Sequence, residues 1–155
     1  MSYNQSDLTN LQNAESETKA VNYGRKVGRA KCVFDPSATS SMRSIAAHGL
    51  GLTIPANCYI TRAYYKVVTT FTSATDAATI ALKAVSANDL VSAVAISNGG
   101  NPWDAGDLVA TLVTTTLSTA IKTTADVEIT ATVATEALTA GKLILWVEWE
   151  YFGDV

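Results

Sequence analysis

The chain has 155 residues, of which 48% are hydrophobic and 16% charged, and its formal net charge at pH 7 is -3. This composition is sufficient for one domain with a sizeable core. The net acidic charge argues against a nucleic-acid partner, because phosphate binding needs a concentrated excess of Lys and Arg.

The first 30 residues differ in composition from the rest of the chain. They are rich in Asn, Gln, Ser, Glu and Thr, and their scattered apolar residues cannot bury enough surface to fold alone. Basic residues outnumber acidic ones up to Lys31, whereas the chain from Cys32 onward is net acidic. We therefore predict a flexible, mildly basic arm over residues 1–30 that orders on a protein partner, followed by one domain over residues 31–155.

Apolar and polar residues alternate repeatedly after residue 31, which is typical of β-strands. The alternation over residues 50–54 stops at Pro55-Ala56-Asn57, a sequence that favours a tight turn with a positive φ at Asn57. The next strand is predicted over residues 58–71, and a change of phase near Ile60 indicates a bulge. A further strand, with small apolar residues, is predicted over residues 78–84.

The middle of the chain is less regular. Residues 89–97 fit a helical face and a strand equally well, so both remain open. Residues 98–102 have the Asn, Gly and Pro content of a loop, and Trp103 beside them is predicted to hold that loop against the body of the domain. Strands are predicted over residues 108–115 and 120–122.

The last two strands have the clearest patterns. Residues 127–133 alternate as a strand with one packed and one solvated face. A turn at residues 139–142 is predicted to lead into a strand over residues 143–151, whose outward face is too apolar for open solvent. Seven or eight short strands without long helices indicate an all-β fold, an antiparallel jelly roll or β-sandwich. The outward residues of the last strand and its end are Ile144, Trp146, Glu148, Glu150 and Phe152.

Few residues have the spacing that catalysis or metal binding requires. His48 is the only histidine, so neither a catalytic triad nor a multi-histidine metal site is predicted. Cys32 and Cys58 lack a metal or redox spacing and are interpreted as buried thiols. The 98–107 loop collects oxygen donors that calcium accepts, but not in the order of a calcium loop. No nucleotide motif is present, and we expect no cofactor, no catalytic residue and no metal.

Two alternatives to packing remain for the polar and aromatic residues. Glu148 and Glu150 share one strand face, and paired carboxylates can hydrolyse sugars, although a solvated row is more frequent. Aromatic side chains can stack on sugars, although packing in the core or at a subunit interface is the more frequent role of such residues. The aromatic residues concerned are Tyr64, Tyr65, Trp103, Trp146 and Trp149.

Three stretches of the chain have a recognisable pattern: Ala47 to Asn57 continuing through Tyr64-Tyr65-Lys66-Val67, then Asn101 to Gly106, then Leu138 to Glu148. They resemble the small jelly-roll-like virion proteins of tailed bacteriophages, in particular capsid decoration (cement) proteins. The resemblance covers most of the chain after residue 44. Its motifs consist mainly of turn and strand residues, and similar proteins are found on heads and on tails.

The resemblance implies a homotrimer on the outer surface of a phage head, seated between capsomers and made in the cytoplasm of the bacterial host. Its partners would be further copies of itself and the major capsid protein, with no membrane, since no apolar run has the length of a span. Ile144, Trp146 and Phe152 would then lie at the oligomer interface. The arm would bind the capsid through Leu8, Leu11, Tyr23, Arg25, Lys26, Arg29 and Lys31.

Two other classes compete with this hypothesis. A carbohydrate-binding or host-recognition module of a phage tail would use the aromatic residues and the 98–107 loop as its ligand surface. A wall-degrading hydrolase would need a catalytic constellation that the sequence does not display.

Overall fold

The chain folds into an antiparallel β-sandwich. The computed structural model describes residues 27–87, 89–97, 100–113 and 120–153, with the backbone alone at 112 and 113. A 3₁₀ turn at Ser40–Arg43 follows the first strand. The strands in these ranges are β1 (Val27–Phe34), β2 (Ala47–Ile54), β3 (Cys58–Ser73), β4 (Thr79–Lys83), β5 (Val91–Ala95), β6 (Leu108–Val113), β7 (Ile121–Lys122), β8 (Val127–Ala134) and β9 (Leu138–Tyr151).

Two sheets form the layers of the sandwich. The larger sheet has the order β1-β9-β3-β6, and β7 also pairs with β3. The smaller sheet has the order β2-β8-β4-β5, and the pairings within both sheets are antiparallel. The predicted all-β fold is therefore confirmed. None of the helices in the described ranges is long and apolar enough to cross a membrane.

The core lies between the sheets and is filled mainly by alternate residues of the longer strands. An aromatic cluster forms one part of it: the Phe34 and Phe71 rings stack at 5.7 Å, and Trp103 meets the edge of Phe71 at 6.0 Å. Trp103 is completely buried, stacks on Tyr65 at 5.3 Å and donates its indole N–H to the Val94 carbonyl at 3.0 Å. The predicted role of Trp103 in holding its loop to the domain is confirmed.

Local backbone predictions are also confirmed at two places. Asn57 has a φ of 57°, as the turn after β2 requires. The register between β3 and β9 shifts between Ile60 and Arg62, which is the bulge that the change of phase predicts. Residues 89–97, for which the sequence left helix and strand undecided, contain strand β5. This strand pairs with β4 through Val94 and Ile80.

Three sequence interpretations differ from the structure. Strand β1 begins at Val27, four residues before the predicted start of the domain, and brings the strands in the described ranges to nine. The turn predicted at residues 139–142 is wrong, because β9 is continuous from Leu138. The chain turns before that strand, where Thr135 has a φ of 70°. Gly141 lies inside β9 with a φ of 140°, and its backbone bonds to Ser37.

Glu136 holds the 73–77 loop to the turn between β8 and β9. Its carboxylate accepts hydrogen bonds from the Ser73 hydroxyl, the Thr75 N–H at 3.0 Å and the Ala77 N–H at 3.2 Å. The bond from Ser73 and those from the backbone lower the pKa of this carboxyl, because they favour its charged form.

We expect this carboxyl to make the free energy of unfolding decrease as the pH falls. A lowered pKa in the folded state stabilises the fold at neutral pH, and that contribution is lost as the pH falls below the ordinary glutamate range. Urea unfolding of wild type and Glu136→Gln, each measured from neutral pH to pH about 3, should show a shallower acid dependence for the variant. Glu128→Gln is the matched control, because the Glu128 carboxylate accepts one N–H, from Gly51, at 2.9 Å. Identical pH dependence of wild type and Glu136→Gln would contradict the argument.

Candidate protein-binding face

The outer face of the larger sheet, which points away from the core, divides into two halves. We define the apolar half as five residues contributed by β1, β9, β3 and β6. Cross-strand pairing places Ile144 of β9 between Val33 of β1 and Lys66 of β3. Leu108 of β6 pairs with the same Lys66. Two residues further along β9, Trp146 lies between Lys31 of β1 and Tyr64 of β3. The members of the apolar half are Val33, Tyr64, Leu108, Ile144 and Trp146.

Strand β9 carries apolar side chains on both of its faces. Leu143, Leu145 and Val147 point into the core and are fully buried. Ile144 and Trp146 point outward and are half-buried, since neighbouring side chains on the same face cover part of them. A solvated sheet face normally carries polar side chains at these positions, so this half has the composition of a contact surface.

Aromatic stacking gives the apolar half a defined shape. The Tyr64 and Trp146 rings stack at a centroid distance of 5.2 Å with an angle of 12° between their planes. The Arg62 guanidinium lies 5.1 Å from the centre of the Tyr64 ring, within cation–π range. Leu108, on the edge strand, remains 68% exposed, and Val33 remains 37% exposed. The result is a rigid aromatic centre with exposed aliphatic borders.

The charged half occupies the other end of the same face. Arg29 forms an ion pair with Glu148 at 3.4 Å and donates a hydrogen bond to the Tyr64 hydroxyl. Glu150, 8% exposed, accepts a hydrogen bond from the Tyr59 hydroxyl. Both carboxylates that the sequence marks as a candidate hydrolytic pair therefore have partners within the sheet. Exposed pairs such as Arg29–Glu148 contribute little stability and mainly fix side-chain positions.

The three predicted interface residues do not lie together. Ile144 and Trp146 belong to the apolar half, two residues apart on β9. Phe152 follows the end of β9, about 26 Å along the strand direction from Ile144. Its ring is 41% exposed and lies 6.3 Å from Tyr59, at the end of the charged half.

The predicted arm residues are also divided. Arg29 and Lys31 lie in β1 and point outward from the larger sheet, at the positions paired with Glu148 and Trp146. Five others fall outside the described residues. These are Leu8, Leu11, Tyr23, Arg25 and Lys26.

Sequence reasoning missed Val33 and Leu108 as members of this face. The signal for Val33 was present, because Lys31 and Val33 alternate with the buried Cys32 and Phe34. Assigning residues up to 30 to the arm hid the strand that this alternation continues. Leu108 had no such signal, since its exposure depends on β6 lying at the edge of the sheet.

The remaining candidate residues have structural partners. The His48 ring lies 6.1 Å from Phe34, and its Nε2 is 2.9 Å from the Ser44 carbonyl oxygen. Cys32 and Cys58 are buried, and burial raises the pKa of Cys32 to about 12, so its thiol stays protonated. Within the described ranges, no group of three or more His, Cys, Asp or Glu residues has an arrangement that can hold a metal ion.

Side-chain oxygen atoms of the loop that carries Trp103 accept hydrogen bonds from the backbone of the same loop. The Asn101 side-chain oxygen accepts the Trp103 N–H at 2.8 Å, and Asp107 accepts the Asp104 N–H at 3.3 Å. Trp103 and Tyr65 are completely buried, so neither ring is available to a sugar at the surface. Of the five aromatic candidates, Tyr64 and Trp146 are the pair that the outer face presents.

These features define an antiparallel β-sandwich protein whose larger sheet presents an apolar, aromatic outer face. Solved structures of three phage capsids contain chains with a similar fold. The chain matched in the acidic stable capsid of Helicobacter pylori bacteriophage KHP30 aligns with a TM-score of 0.57 and 11% identity, over 83% of this chain and 90% of that one. The chain in the cyanophage Pam1 capsid gives 0.55 and 15% identity, over 82% and 86%.

The third similar chain belongs to the capsid of Ralstonia phage GP4, with a TM-score of 0.50 and 18% identity over 83% of this chain and 86% of that one. At such identities the likeness is one of fold. No protein-family model and no curated protein matches the sequence.

Proposed function

We propose that this protein is a structural component of a phage virion, a capsid decoration or cement protein that binds the outer surface of the head between capsomers and stabilises the shell. The observation that carries the proposal is the shared fold with chains of three phage capsid structures, over at least 82% of this chain. The alignments also cover most of each matched chain, so the likeness is to whole chains of similar size. The apolar half of the outer face supports the same proposal.

The function requires contacts rather than a reaction. In an oligomer, which we propose to be a homotrimer, each subunit buries the apolar half of its outer face against a neighbour. Val33 and Leu108, exposed in the single chain, then become buried. Closed symmetry removes the exposed apolar surface of every subunit at once.

The predicted arm supplies the second contact. We propose that it binds the major capsid protein through the apolar and basic residues that precede β1, which are Leu8, Leu11, Tyr23, Arg25 and Lys26. Three arms per trimer would attach to several capsomers. Linked weak contacts of this kind add up to strong attachment, because each bound arm raises the effective concentration of the others.

We expect Trp146→Ala to weaken association between subunits by about 2 kcal/mol, or about thirtyfold, because buried tryptophans often dominate interfaces. The measurement is sedimentation velocity over a range of protein concentrations. Ile45→Ala is the matched control, since Ile45 is 58% exposed and belongs to the segment before β2, not to the larger sheet. Phe152→Ala reports whether the interface reaches the far end of the face. Unchanged association of the Trp146 variant would contradict the proposed interface.

The location is tested by counting this protein against the major shell protein in purified particles by quantitative mass spectrometry. About one copy per shell subunit is the expected result for a lattice-wide cement protein. A few copies per particle would place it at a tail or a unique vertex, and its absence from particles would overturn the virion role.

The arm is tested by deletion of residues 1–26, which ends before β1 begins at Val27. Longer deletions would remove strand residues and confuse shell binding with folding. The truncated protein is expected to retain the ability to oligomerise and to bind empty shells more weakly. Full shell binding without residues 1–26 would remove the arm from the mechanism.

A tail-associated, carbohydrate-binding module is the second candidate. The observation that favours it is the stacked Tyr64 and Trp146 pair on the outer face, because aromatic faces bind the apolar surfaces of sugar rings. Glycan-array binding that Trp146→Ala abolishes in a folded protein, together with a low copy number, would support this candidate over the decoration protein.

A further inference from the structure

We propose that, in the free chain, residues 1–18 bind the apolar half of the outer face of the same molecule. This segment would lie as an acidic, leucine-containing peptide across Trp146, between Lys31 and Lys66. The inference concerns the isolated protein and does not depend on the proposed virion role.

Two lysines beside the apolar half have no ion-pair partner within the described part of the chain. Lys31 lies beside Trp146 on β1, and Lys66 lies beside Ile144 on β3. Neither lysine forms a salt bridge with a described residue. The carboxylates at the two ends of the apolar half are already paired, Asp35 with Lys142 at 2.8 Å and Glu148 with Arg29 at 3.4 Å. An occupant with carboxylates and apolar side chains would therefore complement this half.

Residues 1–18 have that composition. They contain Asp7, Glu15 and Glu17 and no Lys or Arg. Leu8 and Leu11 supply apolar side chains between these carboxylates. The basic residues of the N-terminal region begin at Lys19, so the acidic and the basic parts are separate along the chain.

The point where the described chain begins allows the segment to reach its own outer face. Val27 starts β1 on this face, six residues before Val33, which corresponds to about 20 Å along the strand. Residues 19–26 span up to about 28 Å when extended. They are therefore long enough to return the preceding residues to the apolar half. Attachment to the same chain raises the effective concentration of the segment at the face.

The test compares the solvent exposure of Trp146 in the full chain and in a chain lacking residues 1–18. Hydroxyl-radical footprinting, read out by mass spectrometry on the monomer fraction, measures the oxidation rate of each tryptophan. We expect the deletion to raise the oxidation rate of Trp146 about threefold to tenfold. The effect is of this size because a few surface charge pairs and apolar contacts bind the segment only weakly. Trp103, which is completely buried, is the internal reference and should not change.

Charge reversal separates the proposed contact from an indirect effect of deletion. Asp7→Lys, Glu15→Lys and Glu17→Lys together should expose Trp146, and so should Lys31→Glu with Lys66→Glu. Combining all five substitutions should restore protection, because the two surfaces are again complementary. Lys83→Glu, on β4 of the smaller sheet, is the control that should leave Trp146 unchanged. Added salt should expose Trp146 in the wild type by screening the charges.

Two results would overturn the proposal. One is an oxidation rate at Trp146 that neither deletion nor charge reversal changes, since the face would then be open in the full chain. The other is protection of Trp146 that is confined to the oligomer fraction and absent from the monomer fraction, because the occupant would then be another copy. Either failure leaves the copy-number test of the virion role unaffected.

Discussion

Replacing Trp103 by Ala is expected to lower the free energy of unfolding by about 3–5 kcal/mol, the range found when a large buried aromatic side chain is deleted. The ring is fully buried between Tyr65 and Phe71, so its removal leaves a cavity that stacked neighbours cannot close. The Val94 carbonyl also loses the indole hydrogen bond. Urea unfolding followed by circular dichroism measures the loss.

Trp146→Ala is the matched control for this prediction. Trp146 is half-buried on the outer face and stacks on Tyr64 alone among the described aromatic rings. Its removal should therefore destabilise the monomer clearly less than removal of Trp103. Equal losses from the two variants, or a loss below about 1 kcal/mol for Trp103→Ala, would mean that the 100–107 loop does not depend on the core.

Gly141→Ala is expected to destabilise the fold by about 2–4 kcal/mol, through backbone strain and overpacking together. Gly141 has a φ of 140°, a backbone angle that residues with a Cβ atom rarely adopt. A Cβ at this position would lie 2.1 Å from the Phe71 ring. Phe71 cannot move away easily, because Phe34 stacks on it and Trp103 meets its edge.

Gly51→Ala separates the two causes. Gly51 also has a positive φ, 71°, but a Cβ there would meet nothing within 4 Å. This variant should lose about 1 kcal/mol from strain alone, and the difference between the two variants measures the overpacking against Phe71. A smaller loss for Gly141→Ala than for Gly51→Ala would show that the Phe71 cluster adjusts to the added methyl group.

Strand positions were predictable where one face is buried and the other is solvated. Ile129, Ala131 and Val133 alternate in the sequence and are buried in the structure, because burial of one face fixes the register of a strand. The absence of a turn at residues 139–142 was not predictable from composition. Gly141 reads as a turn residue in the sequence, but it is needed inside β9 because the Phe71 ring occupies the space above it.

The candidate face was predictable in part. Ile144 and Trp146 are evident from the apolar outward side of the last strand, and the structure places them side by side. Phe152 shares the same alternation, yet it lies at the other end of the face, since a strand separates residues in proportion to their distance in sequence. Val33 and Leu108 join the face only through the strand order, which local periodicity does not encode.

The sequence by itself determined the all-β class, most of the strands, the β3 bulge and the anchoring of Trp103, because period-two burial and turn residues are local properties. Only the tertiary structure decided that β1 begins at Val27 and pairs with β9, and that β9 lies between β1 and β3. The β1–β9 and β3–β9 pairings join residues at least 65 positions apart. Together with the pairing of β3 and β6, they create the apolar half of the outer face from four strands whose individual patterns do not indicate which strands are neighbours.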